Sequence, residues 1–437
     1  MKRVFLCAAL FVASGIMSAE GSPSAADSAS DPRFSPSQRR SDAFKQKQFI
    51  NARGGLPNCA KKFRSDKFGR VAFLGGSITE MRGWRNMVQS ALRERFPDTK
   101  FEFVDAGISS TGSTPGAFRL ENDILSKGKI DLLFIENAVN DDTNGFSVKS
   151  QIRGMEGEIR RALLANPETD IVVLHFIYDP FIAAEARGDS PEVVKNHELV
   201  CGHYSVASIN LCREIALRMR DGEFDWKKFG GTHPSPFGHK YYAAAVENLF
   251  DEAWETPSKV SAPRKLPEPL DKFSYFRGRF VPIESAEVAR GWKIEKNWNP
   301  ASAPSFESGG NADTLYSFEG GARPARKAHT RRGFVNVPML EARSPGAEFS
   351  LEFEGTAVGI FCVAGPYAGT LEYSIDGMPF SRLDTFTHWS GSLYLPWVYL
   401  FADELAPGKH VLTVRMSEAK NPKSFGHECQ IRNFVVN

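Results

Sequence analysis

The hydrophobic pattern of the chain changes character part-way along its length. From about residue 70 onward, short apolar runs alternate with stretches that carry apolar residues at helical spacing. The runs have the length of buried strands and read RVAFLG, FEFVDAG, IDLLFIE and DIVVLHF. This alternation predicts βαβ units, and therefore an α/β domain built on a mostly parallel sheet.

A proline-rich stretch at 256–271, TPSKVSAPRKLPEPLD, ends this pattern and predicts a semi-rigid linker. After it come short runs that mostly alternate in polarity, such as GTLEYSIDG and KHVLTVRM, with turn residues between them. Such runs without helical stretches indicate an antiparallel β-sandwich of roughly jelly-roll type. We therefore predict an α/β domain at 43–255 and an accessory β-sandwich domain at 272–437.

The N-terminus reads as a secretory signal peptide. It combines a Lys2-Arg3 start, an apolar run and small residues near Ser18-Ala19. We expect residues 1–19 to be removed on export and residues 20–42, rich in Ser, Ala, Pro and charge, to form a flexible leader. No later segment approaches ~20 uninterrupted apolar residues, so we expect a secreted or periplasmic protein without a membrane span.

Charge and cysteine content narrow the classes of partner. Lys and Arg number 54 and Asp and Glu 52, a formal net charge of +2, so an electrostatic footprint for nucleic acid is missing. Five cysteines follow the signal segment, and Cys201 with Cys212 is one candidate disulfide. His197, His203 and Tyr204 lack metal-ligand spacing, so we expect them to pack, and we expect no metal or cofactor.

Ser77 lies where the first predicted strand turns into a helix. RVAFLG leads directly into Gly75-Gly76-Ser77, and ligands of open α/β sheets bind at the carboxyl ends of the strands. Paired glycines permit a tight turn, and a serine there can present its hydroxyl as a nucleophile. A plain turn with a helix-capping serine would give the same local sequence.

Two further strand ends supply groups suited to stabilising an oxyanion. Gly107 closes the second predicted strand, and Asn140 follows the third. A free backbone N–H and an asparagine amide are the donors that a tetrahedral ester intermediate requires. A turn glycine and a loop-capping asparagine are the alternatives when each residue is taken alone.

Four segments, GGSIT, DAGIS, AVND and THPSPFGH, resemble in order the motif blocks of the SGNH (GDSL-type) hydrolases. The resemblance covers about residues 68–252 and implies a three-layer α/β/α, flavodoxin-like fold with a sheet of about five parallel strands. It also implies metal-free ester hydrolysis through an acyl-enzyme on Ser77, with Gly107 and Asn140 as oxyanion donors and His233 as the base.

The chain departs from the family pattern at two positions. Ala138 replaces a glycine of the third block, and Gly230 stands where the fourth block has an aspartate, three residues before His233. We therefore predict either a Ser-His dyad or a triad with another orienting group. Asp225, the nearest upstream carboxylate, is the candidate for that group. His239 is expected to begin or cap the closing helix.

These features predict a secreted serine esterase that removes acetyl or another small acyl group from a carbohydrate. Export, near-neutral charge and an appended sandwich suit a polysaccharide better than a lipid, although this substrate class is an analogy from architecture. The alternatives are a lipase, lysophospholipase or thioesterase of the same fold, and a non-catalytic glycan-binding protein on a decayed esterase fold. The sequence leaves the sugar, the acyl group and the oligomeric state open.

Overall fold

A computed structural model describes residues 47–255, 260–300, 316–318, 321–323, 330–331, 333–391 and 393–437. The predicted signal peptide at 1–19, the leader at 20–42 and the start of the predicted linker at 256–259 lie outside the described residues. Among the helices of the described part, none has both the length and the apolar character that a membrane span requires.

The first part of the chain alternates strands and helices as predicted. Its strands are β1 (Ile50–Asn51), β2 (Phe68–Gly75), β3 (Lys100–Gly107), β4 (Leu132–Glu136), β5 (Asp170–Leu174) and β6 (Ala207–Ile209). Its helices are α1 (Pro57–Asp66), α2 (Ser77–Glu80), α3 (Trp84–Arg95), α4 (Ser113–Asp123), α5 (Ala138–Thr143), α6 (Val148–Ala165), α7 (Asp179–Ala186), α8 (Glu192–His203), α9 (Leu211–Arg220), α10 (Trp226–Phe229) and α11 (Pro236–Glu255).

These strands form one sheet in the order β1-β6-β5-β4-β2-β3. β2 to β6 are parallel, and only the short β1 pairs antiparallel, with β6 at the edge. The five parallel strands follow the flavodoxin-like order 2-1-3-4-5, in which the switch point lies beside the first strand, here β2. The predicted fold class of this part is confirmed.

Helices cover both faces of the sheet because both faces of its strands are apolar. In β2, Val71 and Phe73 point into one core cluster, whereas Ala72 and Leu74 point into a second cluster on the other face. Near-continuous apolar strands are what a doubly covered parallel sheet requires. The result is the three-layer α/β/α arrangement.

The C-terminal part is a β-sandwich, as predicted. Its strands are β7 (Arg279–Val281), β8 (Glu287–Arg290), β9 (Lys293–Trp298), β10 (Tyr316–Phe318), β11 (Gly321–Arg323), β12 (Val337–Ala342), β13 (Glu348–Gly355), β14 (Val358–Ala364), β15 (Thr370–Ile375), β16 (Ser381–Asp384), β17 (Leu395–Ala402), β18 (Gly408–Met416) and β19 (Cys429–Val436). Two antiparallel sheets, β17-β14-β19-β12-β9 with β7 on β19, and β16-β15-β18-β13-β8, enclose an apolar core. β10 and β11 form a separate pair.

The sandwich packs on the α/β part through an apolar cluster and an ionic one. Phe118 of α4 stacks on Tyr275 with ring centroids 5.2 Å apart, and both side chains are fully buried. Arg153 of α6 binds Asp271 at 2.6 Å, and reaches Asp403 and Glu404 of the sandwich at 2.9 and 2.7 Å. Three charge-assisted contacts on one guanidinium fix the orientation of the two parts.

The candidate disulfide between Cys201 and Cys212 is wrong. All five described cysteines are buried free thiols. Cys201 lies in the core cluster on one face of the parallel sheet and Cys212 in the cluster on the opposite face, so the sheet separates them. Strand β6 lies between the two cysteines and carries the chain from one face of the sheet to the other. The spacing of the cysteines in the sequence does not reveal this change of face.

Candidate active site

Ser77 and His233 meet at the carboxyl end of the parallel sheet. The Ser77 hydroxyl oxygen lies 2.7 Å from Nε2 of His233, across 156 positions of sequence. β2 ends at Gly75, and α2 begins at Ser77, whose carbonyl accepts a hydrogen bond from the Met81 N–H at 3.0 Å. The sequence-predicted nucleophile and base are therefore within one hydrogen bond of each other.

The glycines before Ser77 are required by close packing. A Cβ atom on Gly75 would lie 2.6 Å from Oγ1 of Thr79 and 2.8 Å from the Glu136 carbonyl oxygen. A Cβ on Gly76 would overlap with Oδ1 of Asn140. Asn140 lies in α5, one turn after β4, so its amide group reaches the residue before Ser77.

Gly107 closes β3 directly beside Gly75 in the parallel register. A Cβ at Gly107 would overlap with the backbone of Glu80 and Thr79 in α2, so a residue with a side chain could not approach this helix as closely. The structure thus brings Ser77, Gly107 and Asn140 together around the carboxyl ends of β2, β3 and β4.

A compact turn presents His233. Helix α10 ends at Gly230, whose φ of 108° is left-handed, and Gly231 has a φ of 80°. The Ser235 N–H then donates to the Phe229 carbonyl at 2.8 Å, and this bond closes the turn around His233 before α11 begins. The turn explains the Gly-rich sequence, since left-handed backbone favours glycine.

Asp225 occupies a different position from an orienting carboxylate in this structure. Its Oδ1 accepts a hydrogen bond from the Lys228 N–H at 2.7 Å and caps the start of α10. Within the described ranges, no hydrogen bond joins Asp225 to His233, and the proposed orienting role of this residue stays a prediction. The geometry favours the Ser77–His233 dyad.

The surroundings keep the imidazole neutral. Although the ring is exposed at the mouth of the site, the protein around it displaces enough water to lower the pKa of His233, and the positive charge of Arg331 lowers it further. A neutral imidazole is the form that accepts a proton from serine. His239 of α11 is buried against Gly83. Burial lowers the pKa of His239 to about 4.

Side chains of the β-sandwich lie beside this site. The sequence gives no signal of this contact. The Arg331 Nη2 donates to the hydroxyl of Ser110 at 2.7 Å, three residues after Gly107. On the other side, the ring of His388 lies beside the backbone of Thr143 in α5. Neither residue stands in a motif or a periodic pattern, so only the folded chain reveals them.

No group of three or more His, Cys, Asp or Glu side chains in the described part of the chain is arranged to hold a metal ion. The arrangement around Ser77 contains instead a hydroxyl, a neutral imidazole and candidate oxyanion donors. Such a set can attack a carbonyl carbon, accept the hydroxyl proton and stabilise the tetrahedral oxygen.

Comparison with known proteins agrees with this chemistry. The family model of the GDSL-like lipases and acylhydrolases matches residues 73–241, a segment that contains Ser77, Gly107, Asn140 and His233. Residues 73–241 are therefore similar to the GDSL-like hydrolases. The protein is thus a hydrolase of ester bonds. By sequence, no curated protein matches the chain.

Two solved structures share the fold of the whole chain. Both are of a two-domain esterase (CEX) active on acetylated mannans, one of them co-crystallised with mannopentaose. They superpose with TM-scores of 0.68 and 0.66 at 20% and 19% identity, and cover 90% of this hydrolase and 97% and 98% of their own chains. The combination of an α/β part and a β-sandwich therefore has the fold of a known two-domain protein.

Proposed function

We propose that this GDSL-like hydrolase is a secreted esterase that removes acetyl or other small acyl groups from a carbohydrate. The observation that carries the proposal is the 2.7 Å contact between Ser77 Oγ and His233 Nε2. It joins two residues from opposite ends of the matched segment, with Asn140 packed beside the nucleophile.

The reaction follows from these groups. His233 accepts the proton of Ser77 as Oγ bonds to the ester carbonyl carbon, and the carbonyl electron pair moves to the oxygen that Asn140 and the Gly107 N–H stabilise. The tetrahedral intermediate collapses as His233 protonates the leaving sugar oxygen, which leaves an acyl-enzyme. A water molecule then gives a proton to His233 and attacks the acyl carbon. As this second tetrahedral intermediate collapses, His233 returns the proton to Ser77 Oγ, which releases the acid and restores the free serine.

The sandwich supports a carbohydrate substrate. Trp389 is 38% exposed, an unusual degree for a tryptophan, and its ring lies 4.7 Å from that of His388, which borders the Asn140 helix. A planar apolar face beside polar groups suits a sugar ring, since binding sites combine apolar walls with a few directing polar atoms. The superposed esterase acts on acetylated mannans, which agrees with this substrate class.

The test is turnover of an aryl acetate and release of acetate from acetylated mannan and xylan. Ser77→Ala should abolish both and prevent labelling by a serine-reactive phosphonate. The exposed Ser126, which lies beyond the C-terminal end of α4, provides the matched control, because Ser126→Ala should leave turnover and labelling unchanged. Asn140→Ala should lower turnover by about 10² to 10³.

Activity that survives in Ser77→Ala would overturn the nucleophile. Faster turnover of long-chain acyl esters than of any acetylated glycan would favour a lipase instead.

A further inference from the structure

A buried hydrogen-bond cluster lies directly behind the oxyanion side of the site. Asp141, the residue after Asn140, is fully buried. Its Oδ1 accepts from the Ser113 N–H at 2.7 Å, and its Oδ2 accepts from the Ser113 hydroxyl at 2.6 Å and from Nε2 of His197 at 2.9 Å. Helix α5 is therefore tied to the first residue of α4 and to α8.

His197, which is expected from sequence to pack in a helix, lies buried in α8 and also makes a specific polar contact. Its ring is fully buried and is paired with the Asp141 carboxylate. Because an ionised carboxylate only accepts hydrogen bonds, Nε2 carries the proton. Among the described residues, the other ring nitrogen has no hydrogen-bond partner, so the bond to Asp141 is the hydrogen bond that orients this imidazole.

Close packing on both sides leaves the cluster little freedom. A Cβ on Gly112 would overlap with Oδ1 of Asp141, and a Cβ on Gly154 would lie 2.8 Å from Cβ of Ser113. The neighbouring Asn140 amide is in turn packed against Gly76. A displacement of Asp141 would therefore move the amide relative to the nucleophile.

We propose that His197 and Asp141 are positioning residues, which hold the Asn140 amide where the oxyanion develops. This inference rests on the proposed esterase function. An oxyanion donor acts only if it is preorganised, and displacement of a catalytic group by about 1 Å can cost about 10²-fold in rate. The cluster should consequently affect kcat and leave substrate binding unchanged.

The experiment is a double-mutant cycle with Asn140→Ala on the full chain, using aryl acetate turnover. His197→Leu should lower kcat about tenfold or more with KM within about twofold, the signature of an interaction made in the transition state. His197→Gln, which keeps a donor toward Asp141, should restore most of the rate. In the Asn140→Ala background, His197→Leu should have little further effect, because the amide through which it acts is gone.

Asp170 offers a control that disturbs a buried carboxylate far from the site. It is also fully buried and accepts from the N–H groups of Asn58 and Cys59 at 2.9 Å, but it lies at the amino end of β5, the sheet edge opposite Ser77. Asp170→Asn should lower stability and leave kcat unchanged.

If His197→Leu fails to fold, Ser113→Ala removes the 2.6 Å bond to Asp141 with a smaller change, and its effect on kcat should likewise vanish in the Asn140→Ala background. A folded variant of His197 or Ser113 with wild-type kcat, or an equal loss in both backgrounds, would overturn the inference. Undiminished activity in Ser77→Ala would instead overturn the esterase mechanism itself.

Discussion

Gly230→Asp should impair the enzyme, although it restores the residue that the SGNH pattern has at this position. An aspartate three residues before the histidine would appear to complete a triad. In this chain, however, Gly230 has a φ of 108°, and a Cβ there would overlap with the Ser235 N–H and lie 2.8 Å from the Pro234 carbonyl carbon. The side chain has no space within the present turn.

The loss of stability in Gly230→Asp is the sum of backbone strain and one lost hydrogen bond. A non-glycine residue in left-handed backbone costs about 1–2 kcal/mol, and loss of the 2.8 Å bond from Ser235 N–H to the Phe229 carbonyl costs about 1 kcal/mol. The turn should thus lose about 2–3 kcal/mol. Because His233 lies between the displaced residues, we expect its 2.7 Å contact with Ser77 to lengthen and turnover to fall about 10²-fold.

The assay compares aryl acetate turnover and the urea unfolding midpoint of the wild type, Gly230→Asp and Gly231→Ala. Gly231 is the matched control, since its φ of 80° is equally left-handed but a Cβ there would meet nothing within 4 Å. Gly231→Ala should lower stability and retain most of the activity. A Gly230→Asp enzyme as active as the wild type, or faster, would refute the reasoning.

Two further substitutions test the electrostatics of His233. Arg331→Met removes one of the two causes that lower the pKa of His233, so the acid limb of the pH profile of kcat/KM should move to higher pH; an unmoved limb would show that the cation is irrelevant. His239, the titratable neighbour in α11, stays neutral over that range. Asp225→Asn should change turnover less than about tenfold, since asparagine can still cap α10, whereas a loss of about 10⁴ would establish a triad.

The strand-end residues could be predicted from sequence because their signals are local. Gly75-Gly76-Ser77 and Gly107 lie directly after apolar runs, and the parallel arrangement brings the carboxyl ends of such strands to one edge. The alternation of strands and helices likewise determines the layers. Each of these inferences needs only a short window of sequence and one rule of topology.

The remaining features depend on contacts that no short window contains. Arg331 reaches Ser110 across 221 positions, and His197 reaches Asp141 across 56, in segments whose patterns suggest nothing beyond a loop and a packed helix. For Asp225 the structure shows a local contact, the cap of helix α10, and its orienting role stays a prediction. The contacts of Arg331 and His197 are tertiary, so a local pattern could not predict them.

Helix α4 contacts both the sandwich and the residues behind the site. The Phe118 side chain of this helix is buried against Tyr275, and the first residue of the same helix, Ser113, binds Asp141 behind the oxyanion side. Exposing a buried phenylalanine costs about 1.5–3 kcal/mol, so α4 depends on the sandwich for its packing. The β-rich part therefore supports the proposed catalytic centre in two ways. Arg331 contacts Ser110 and His388 lies beside Thr143 of α5, and the apolar contact on α4 stabilises the helix that anchors the residue next to Asn140.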